Sequence, residues 1–424
     1  MSGALRGAAA EWRGFWFLPL AGALGYATSV LHVYSLGPFV GPLTEEFGWT
    51  RAQIYSGLTI ASIISGLLCI PMGVLVDRIG PRRVGLVGVV LMGLTVSCLG
   101  TATGSQMNWL LLWAVVAIGT LGVQATVWTS AVASRFETSR GLAFAITLSG
   151  GALAAAVFPS FATWGITEFG WRKAYMLMAA LWATPVLLLL LGVFRGAQDQ
   201  MRREKQPMPA RVLTGITFAE GLRSSVFYRL LLASGFFSFT TIGVSANFVP
   251  MLTDKGTALA TAAQVAGIIG IFSVIGRLGA GVLIDRYPAQ KVGAIIFLIP
   301  LVACLLLLND GASRANQMIA AAIFGLTLGA EVDVIAYLAT RFFGLRAFGA
   351  LYGAMVMALS LGTAFGPLAA GMLFDRYGGY EPFLYLTMAM MSTAAVSVFS
   401  LGRPRALESA TPLPEAAIPD PALP

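Results

Sequence analysis

Gly73-Val-Leu-Val-Asp77-Arg78-Ile-Gly80-Pro-Arg82 closes one long apolar run, and Gly281-Val-Leu-Ile-Asp285-Arg286-Tyr-Pro-Ala-Gln290 closes another 208 residues further on. A second pair repeats the spacing. Ser134-Arg135-Phe136 with Arg140 and Thr340-Arg341-Phe342 with Arg346 lie 206 residues apart. Two matches at nearly one offset mark a chain built from two copies of one unit. The runs between them are apolar and mostly about 20 residues long, the length that crosses a bilayer as helix. Duplicated bundles related by an axis along the membrane normal favour a transporter, with its site expected between the copies.

Composition agrees. Of 424 residues, 57% are hydrophobic and 11% charged, with a mean hydropathy of +0.80, a balance no soluble core needs. Twelve apolar runs are expected, at about 15–36, 53–76, 84–103, 108–133, 141–165, 172–194, 226–251, 262–284, 291–309, 315–340, 348–373 and 382–401. Residues 196–225 form the longest polar stretch before the tail and divide the runs six and six. The expected fold is an all-α integral membrane protein of two pseudo-symmetric six-helix bundles, over 1–195 and 226–402. A cytoplasmic linker at 196–225 joins them, and a Pro-, Ala- and Glu-rich tail at 403–424 reads as disordered.

The net charge of +8 invites a nucleic-acid reading, which the distribution of the charges rejects. With both termini cytoplasmic, twenty Lys and Arg fall on that side and six (Arg51, Arg172, Lys173, Lys255, Arg314 and Arg376) on the other. That asymmetry is the positive-inside rule and predicts the orientation. Cys69, Cys98 and Cys304 lie inside expected spans, with neither disulfide nor metal spacing. Arg6 and Arg13 before an apolar run resemble a signal peptide, but the run continues without a cleavage pattern and reads as the first span. No ATP-binding loop, metal spacing or Gly-x-Ser-x-Gly elbow is present, so the sequence predicts neither an enzyme nor a cofactor. No obligate protein partner is evident.

Arg277 is the cation that this count leaves over. It falls in the eighth run with Ser273 and Gly281 at helical spacing and Gly270 a turn before Ser273, a guanidinium on a face of small residues. An arginine at bilayer depth costs from about 2.5 to more than 10 kcal/mol, so it persists beside water, a counter-charge or an anionic ligand. Two readings are open: a ligand site, or a side chain that snorkels to the surface or pairs with a buried acid.

With these residues in view, the chain resembles a major facilitator superfamily transporter. Gly73-x-x-x-Asp77-Arg78-x-Gly80-x-Arg82-Arg83 is similar to the superfamily's loop motif between helices two and three. Within it, the chain resembles bacterial relatives of the monocarboxylate transporter family, on Tyr34-Ser-Leu-Gly-Pro-Phe-Val-Gly-Pro-Leu-Thr-Glu-Glu-Phe-Gly-Trp-Thr-Arg51, Arg135-Phe-Glu-Thr-Ser-Arg140-Gly-Leu-Ala-Phe-Ala-Ile-Thr-Leu-Ser-Gly150 and Arg277. The resemblance implies that Arg277 binds a substrate carboxylate and that the motif residues Gly73, Asp77, Arg78, Gly80 and Arg82, echoed by Asp285 and Arg286, form a cytoplasmic latch. Related oxalate and formate exchangers add a lysine in helix eleven, and 348–373 has none, which disfavours a dianion. Animal members carry an aspartate one turn before the arginine, where this chain has Ser273, and a lysine in helix one about where it has Tyr34.

Proton symport must then use another group or be absent. His32, the single histidine, titrates near neutral pH when unperturbed, or it is a neutral imidazole bonded to a neighbouring helix. Glu331 and Asp333 stand two residues apart on nearly opposite helix faces, and Asp333 shares its face with Tyr337. Asp333 is the expected partner of Arg277 when the site is empty. Glu331 is either a second carrier or a structural hydrogen-bonder, and burial can keep either acid protonated. Asn247, Gln124 and Tyr352 complete the expected lining. The sequence thus predicts a proton-coupled carrier of a small monocarboxylate in the bacterial inner membrane. An exporter of amphipathic compounds, an organic-anion exchanger and a receptor on the same scaffold stand as alternatives.

Overall fold

In hydrocarbon every backbone N–H and C=O must find its partner within the protein, so apolar runs of this length fold as helix. The computed structural model describes residues 9, 11–136, 139–194, 216–309, 313–344 and 348–402, without the side chains of 70, 74, 77, 133, 140, 141, 285, 332, 333 and 348–350. The expected tail and most of the expected linker lie outside them. Among the described residues twelve spans are long and apolar enough to cross a membrane, beginning with Phe17–Phe47 and ending with Glu381–Phe399. The protein is a multi-pass integral membrane protein. We call the side where the first span begins and the twelfth ends the near face, and the other the far face.

The first span runs longer than expected. It continues through Pro38 and Pro42 to Phe47, where Gly48 ends it at φ +66°. Proline is tolerated in a membrane helix because packed neighbours satisfy the freed carbonyls, so the Tyr34–Arg51 stretch is mostly helix and not loop. The second helix, Arg51–Ile79, then starts at once, with the Thr50 side chain accepting from the Gln53 amide and Gln53 accepting from that of Thr50. Before the seventh span a short helix, Phe218–Arg223, carries the same reciprocal cap between Thr217 and Glu220.

Three spans are broken. The first bends at Val30, just where the Thr28 and Ser29 hydroxyls donate to the Leu24 and Tyr26 carbonyls, competing with the helix amides. The fourth divides into Gln106–Leu121 and Ala125–Ala133, with Val123 and Gln124 outside either helix. The fifth divides into Arg140–Leu148 and Gly150–Phe169 at Ser149, whose hydroxyl donates to Ala145.

Each half has its own packing. An aromatic core of Trp109, Trp113, Trp128, Tyr55, Tyr175 and Phe158 fills the first half, and two clusters centred on Phe297 and Phe324 fill the second. The halves meet where glycine admits close approach. Gly267 and Gly270 of the eighth span lie on Ala156 of the fifth, Gly37 of the first on the Ala246 carbonyl of the seventh, and Gly371 of the eleventh on the backbone of Arg51. The Tyr55 hydroxyl donates to Ala246 at 2.9 Å and Thr59 to Ala364 at 2.7 Å, both across this seam. Towards the near face a Cβ added at Gly73, Gly279, Gly281 or Gly353 would meet nothing within 4 Å.

Candidate substrate site

The eighth span is Leu259–Arg286, and Arg277 lies on it two turns beyond Gly270. Seven residues make nearly two full turns, so Arg277 shares the Gly270 face, which is turned to the fifth span of the other half. Arg277 is half-buried. From the first span, the Tyr26 and Tyr34 phenols lie within electrostatic range of its charge. They stand eight residues apart with the Val30 bend midway between them, and the Tyr26 ring rests against Gly151 of the fifth span. The structure therefore brings together Arg277, Tyr34 and Tyr26. Tyr26 escaped the sequence reading, because nothing along the chain marks its nearness to Arg277 on a helix of the other half.

Ser273 is buried and donates to the Gly270 carbonyl of its own helix at 2.9 Å. The backbone behind it is held tightly: a Cβ on Gly329 would overlap the Ser273 carbonyl oxygen, and one on Gly276 would overlap that of Leu326. The tenth span, Arg314–Phe343, thus packs backbone to backbone on the eighth. Glu331 on that span is fully buried. Asp333 lies in the same helix, with its side chain outside the described residues, as are those of Asp77 and Asp285. Tyr337 sits further towards the near face, its ring 5.9 Å from the Arg341 guanidinium carbon.

Other expected residues lie elsewhere. His32 is buried in the first half, with its ring edge-to-face on Trp113 at 5.9 Å. Gln124 is half-buried in the break of the fourth span, where the Trp128 indole donates to the carbonyl of adjacent Val123 at 2.7 Å. Tyr352 packs half-buried in the near-face cluster of the second half. Asn247 belongs to a far-face network: it donates to Gly243 at 2.9 Å and accepts from the Tyr380 hydroxyl at 3.0 Å. Burial pushes the Tyr380 phenol up, against the opposing pull of Arg51, so it stays a donor. Of the loop motif, Gly80 takes φ +97°, which favours glycine. Arg82 donates to the Leu191 carbonyl at 2.9 Å, tying the third helix to the end of the sixth, and Arg78 and Arg286 are exposed. A cavity of about 130 Å³ lies on the far face, bordered by Lys255, Gln317, Tyr380 and Glu381, well apart from Arg277.

Two six-helix halves that meet at a seam are an architecture found in membrane transporters. The family model for the Major Facilitator Superfamily matches residues 22–357, and the chain belongs to that superfamily. Among curated relatives, "Uncharacterized MFS-type transporter YhjX" of Escherichia coli (strain K12) is 23% identical over 350 residues, 82% of this chain and 85% of its own. "Monocarboxylate transporter 11" of Mus musculus is 26% identical over 409 residues, 88% of this chain and 84% of its own. Among solved structures, a D-xylose-proton symporter superposes with a TM-score of 0.70 at 16% identity, covering 91% of this chain and 98% of the other. A bacterial homologue of the human lysosomal transporter Spinster, in an inward-facing and occupied conformation, gives 0.63 at 18%, covering 91% and 94%. At those identities the structures establish the fold.

Proposed function

We propose that the protein carries a small monocarboxylate together with a proton, and that Arg277 holds the substrate carboxylate. The observation that carries this reading is the placement of Arg277 on the face turned to the other half, within range of Tyr26 and Tyr34. A guanidinium offers paired N–H donors to one carboxylate, and phenols add neutral donors without a second charge. Because the cation belongs to one half and the phenols to the other, a ligand gripped by both favours whichever arrangement of the halves brings them together. The similarity to a protein named as a monocarboxylate transporter supports the substrate class.

We assign the proton to the acids of the tenth span, Glu331 and Asp333, and place His32 outside the coupling because its ring is packed on Trp113 within the first half. An anion entering with one proton is electroneutral, and an acid left behind can neutralise Arg277 when the substrate departs. With both termini cytoplasmic in a bacterial inner membrane, the seam closed at the far face corresponds to an inward-facing carrier. The Gly73–Arg82 motif then acts as a latch on the near face in the opposite state.

Uptake of a panel of labelled monocarboxylates into proteoliposomes, under an inward proton gradient, tests the reading. Accumulation is expected in the wild type and is lost in Arg277→Ala. Uptake indifferent to Arg277, or none of any acid by folded wild-type protein, overturns it and favours an exporter of amphipathic compounds.

A further inference from the structure

The pattern Gly-x-x-x-Asp-Arg occurs a third time, at Gly371-Met-Leu-Phe-Asp375-Arg376-Tyr-Gly378. Here it ends the eleventh span at the far face, opposite to the copies at 73–78 and 281–286. Its parts have identifiable work. The Asp375 carboxylate accepts from the Arg51 amide at 3.0 Å and the Ala52 amide at 2.9 Å, the first amides of the second helix. An anion there satisfies amides with no intrahelical partner and lies at the positive end of the helix dipole. Gly371 makes the approach possible, since a Cβ would stand 3.0 Å from the Ala52 nitrogen.

Arg51 completes the closure. Its guanidinium pairs with Asp254, the residue just past the end of the seventh span, at 2.7 Å, donates to the Tyr380 hydroxyl, and lies 3.7 Å from the centre of the Phe374 ring. Only 14% of the side chain is exposed, so these bonds are made in partial shelter from water, where they are stronger than at an open surface. Tyr380 passes the contact on to Asn247. One residue of the first half is thereby held by the residue just past the seventh span of the second, by the eleventh span and by the turn that precedes the twelfth.

We propose that Arg51, Asp254 and Asp375 are the far-face gate, and that the third motif copy closes it by capping the second helix. The gate must break each time the far side opens, so its strength sets the resting balance between the two arrangements. This inference does not depend on the substrate.

It is tested on the full chain in nanodiscs by pulsed electron paramagnetic resonance. Nitroxide labels are placed at Thr103→Cys and Ser313→Cys, far-face positions on the two halves, after Cys69→Ser, Cys98→Ser and Cys304→Ala. The parent should show one dominant short distance. Asp375→Asn and Arg51→Lys, which preserve size or charge and so protect the fold, should each raise a longer-distance population about tenfold. Arg51→Asp combined with Asp254→Arg should recover more of the short distance than either change by itself. Unchanged distances in both single variants overturn the proposal, as does equal opening by Arg376→Gln, whose exposed guanidinium lies over the Tyr377 ring at 5.5 Å.

Discussion

The two halves share a motif spacing but not a build. In the first half, spans one, four and five are each interrupted; in the second, the corresponding spans seven, ten and eleven run as single helices of 29, 30 and 30 residues. Arg277 and Glu331 sit on unbroken helices, whereas the phenols of Tyr26 and Tyr34 flank a bend. The difference teaches a division of labour. A charge at depth needs a scaffold that holds it in one place, and continuous helices packed through glycine supply that. A broken helix turns a few polar groups out of their own ladder, as at Val123, and can flex around a ligand.

Glu331→Gln attacks the charged half most directly. If the buried acid carries the proton, gradient-driven accumulation disappears while exchange of labelled for unlabelled substrate persists; both fall in one proteoliposome preparation only if the role is structural. Tyr26→Phe and Tyr34→Phe probe the other half, and each is expected to raise KM about tenfold with a smaller effect on kcat. Gly329→Ala drives a methyl group into the Ser273 carbonyl and should lower Tm by about 5 °C in a thermal-shift assay. Gly353→Ala, in open space, should leave it unchanged. Trp128→Phe strands the Val123 carbonyl and should cost about 1–3 kcal/mol of stability, a penalty that substitutions on the unbroken seventh span should not match. His32→Gln should change the accumulation ratio least, by less than about twofold.

Much of the architecture was legible because bilayer physics writes it into composition: span number, the six-and-six division and the place of Arg277 within a span all follow from what hydrocarbon excludes. The breaks were not. Val30 carries no proline or glycine signal, and Pro38 and Pro42, which look like a helix end, lie inside a helix. Arg51 counted towards topology and as the end of the Tyr34–Arg51 stretch but was given no contact of its own, because its partners stand 203, 324 and 329 positions away. Tyr26 was hidden for a related reason: what matters is its distance to Arg277, on a helix of the other half.

The backbone seam between the eighth and tenth spans has a mechanical meaning. With Gly276, Gly325 and Gly329 seated against carbonyl oxygens of the facing helix, neither helix can slide or rotate past its neighbour, and the pair behaves as one stiff lever. Arg277 rides on one side of that lever and Glu331 with Asp333 on the other. The helix that carries the arginine and the helix that carries the two acids therefore move together.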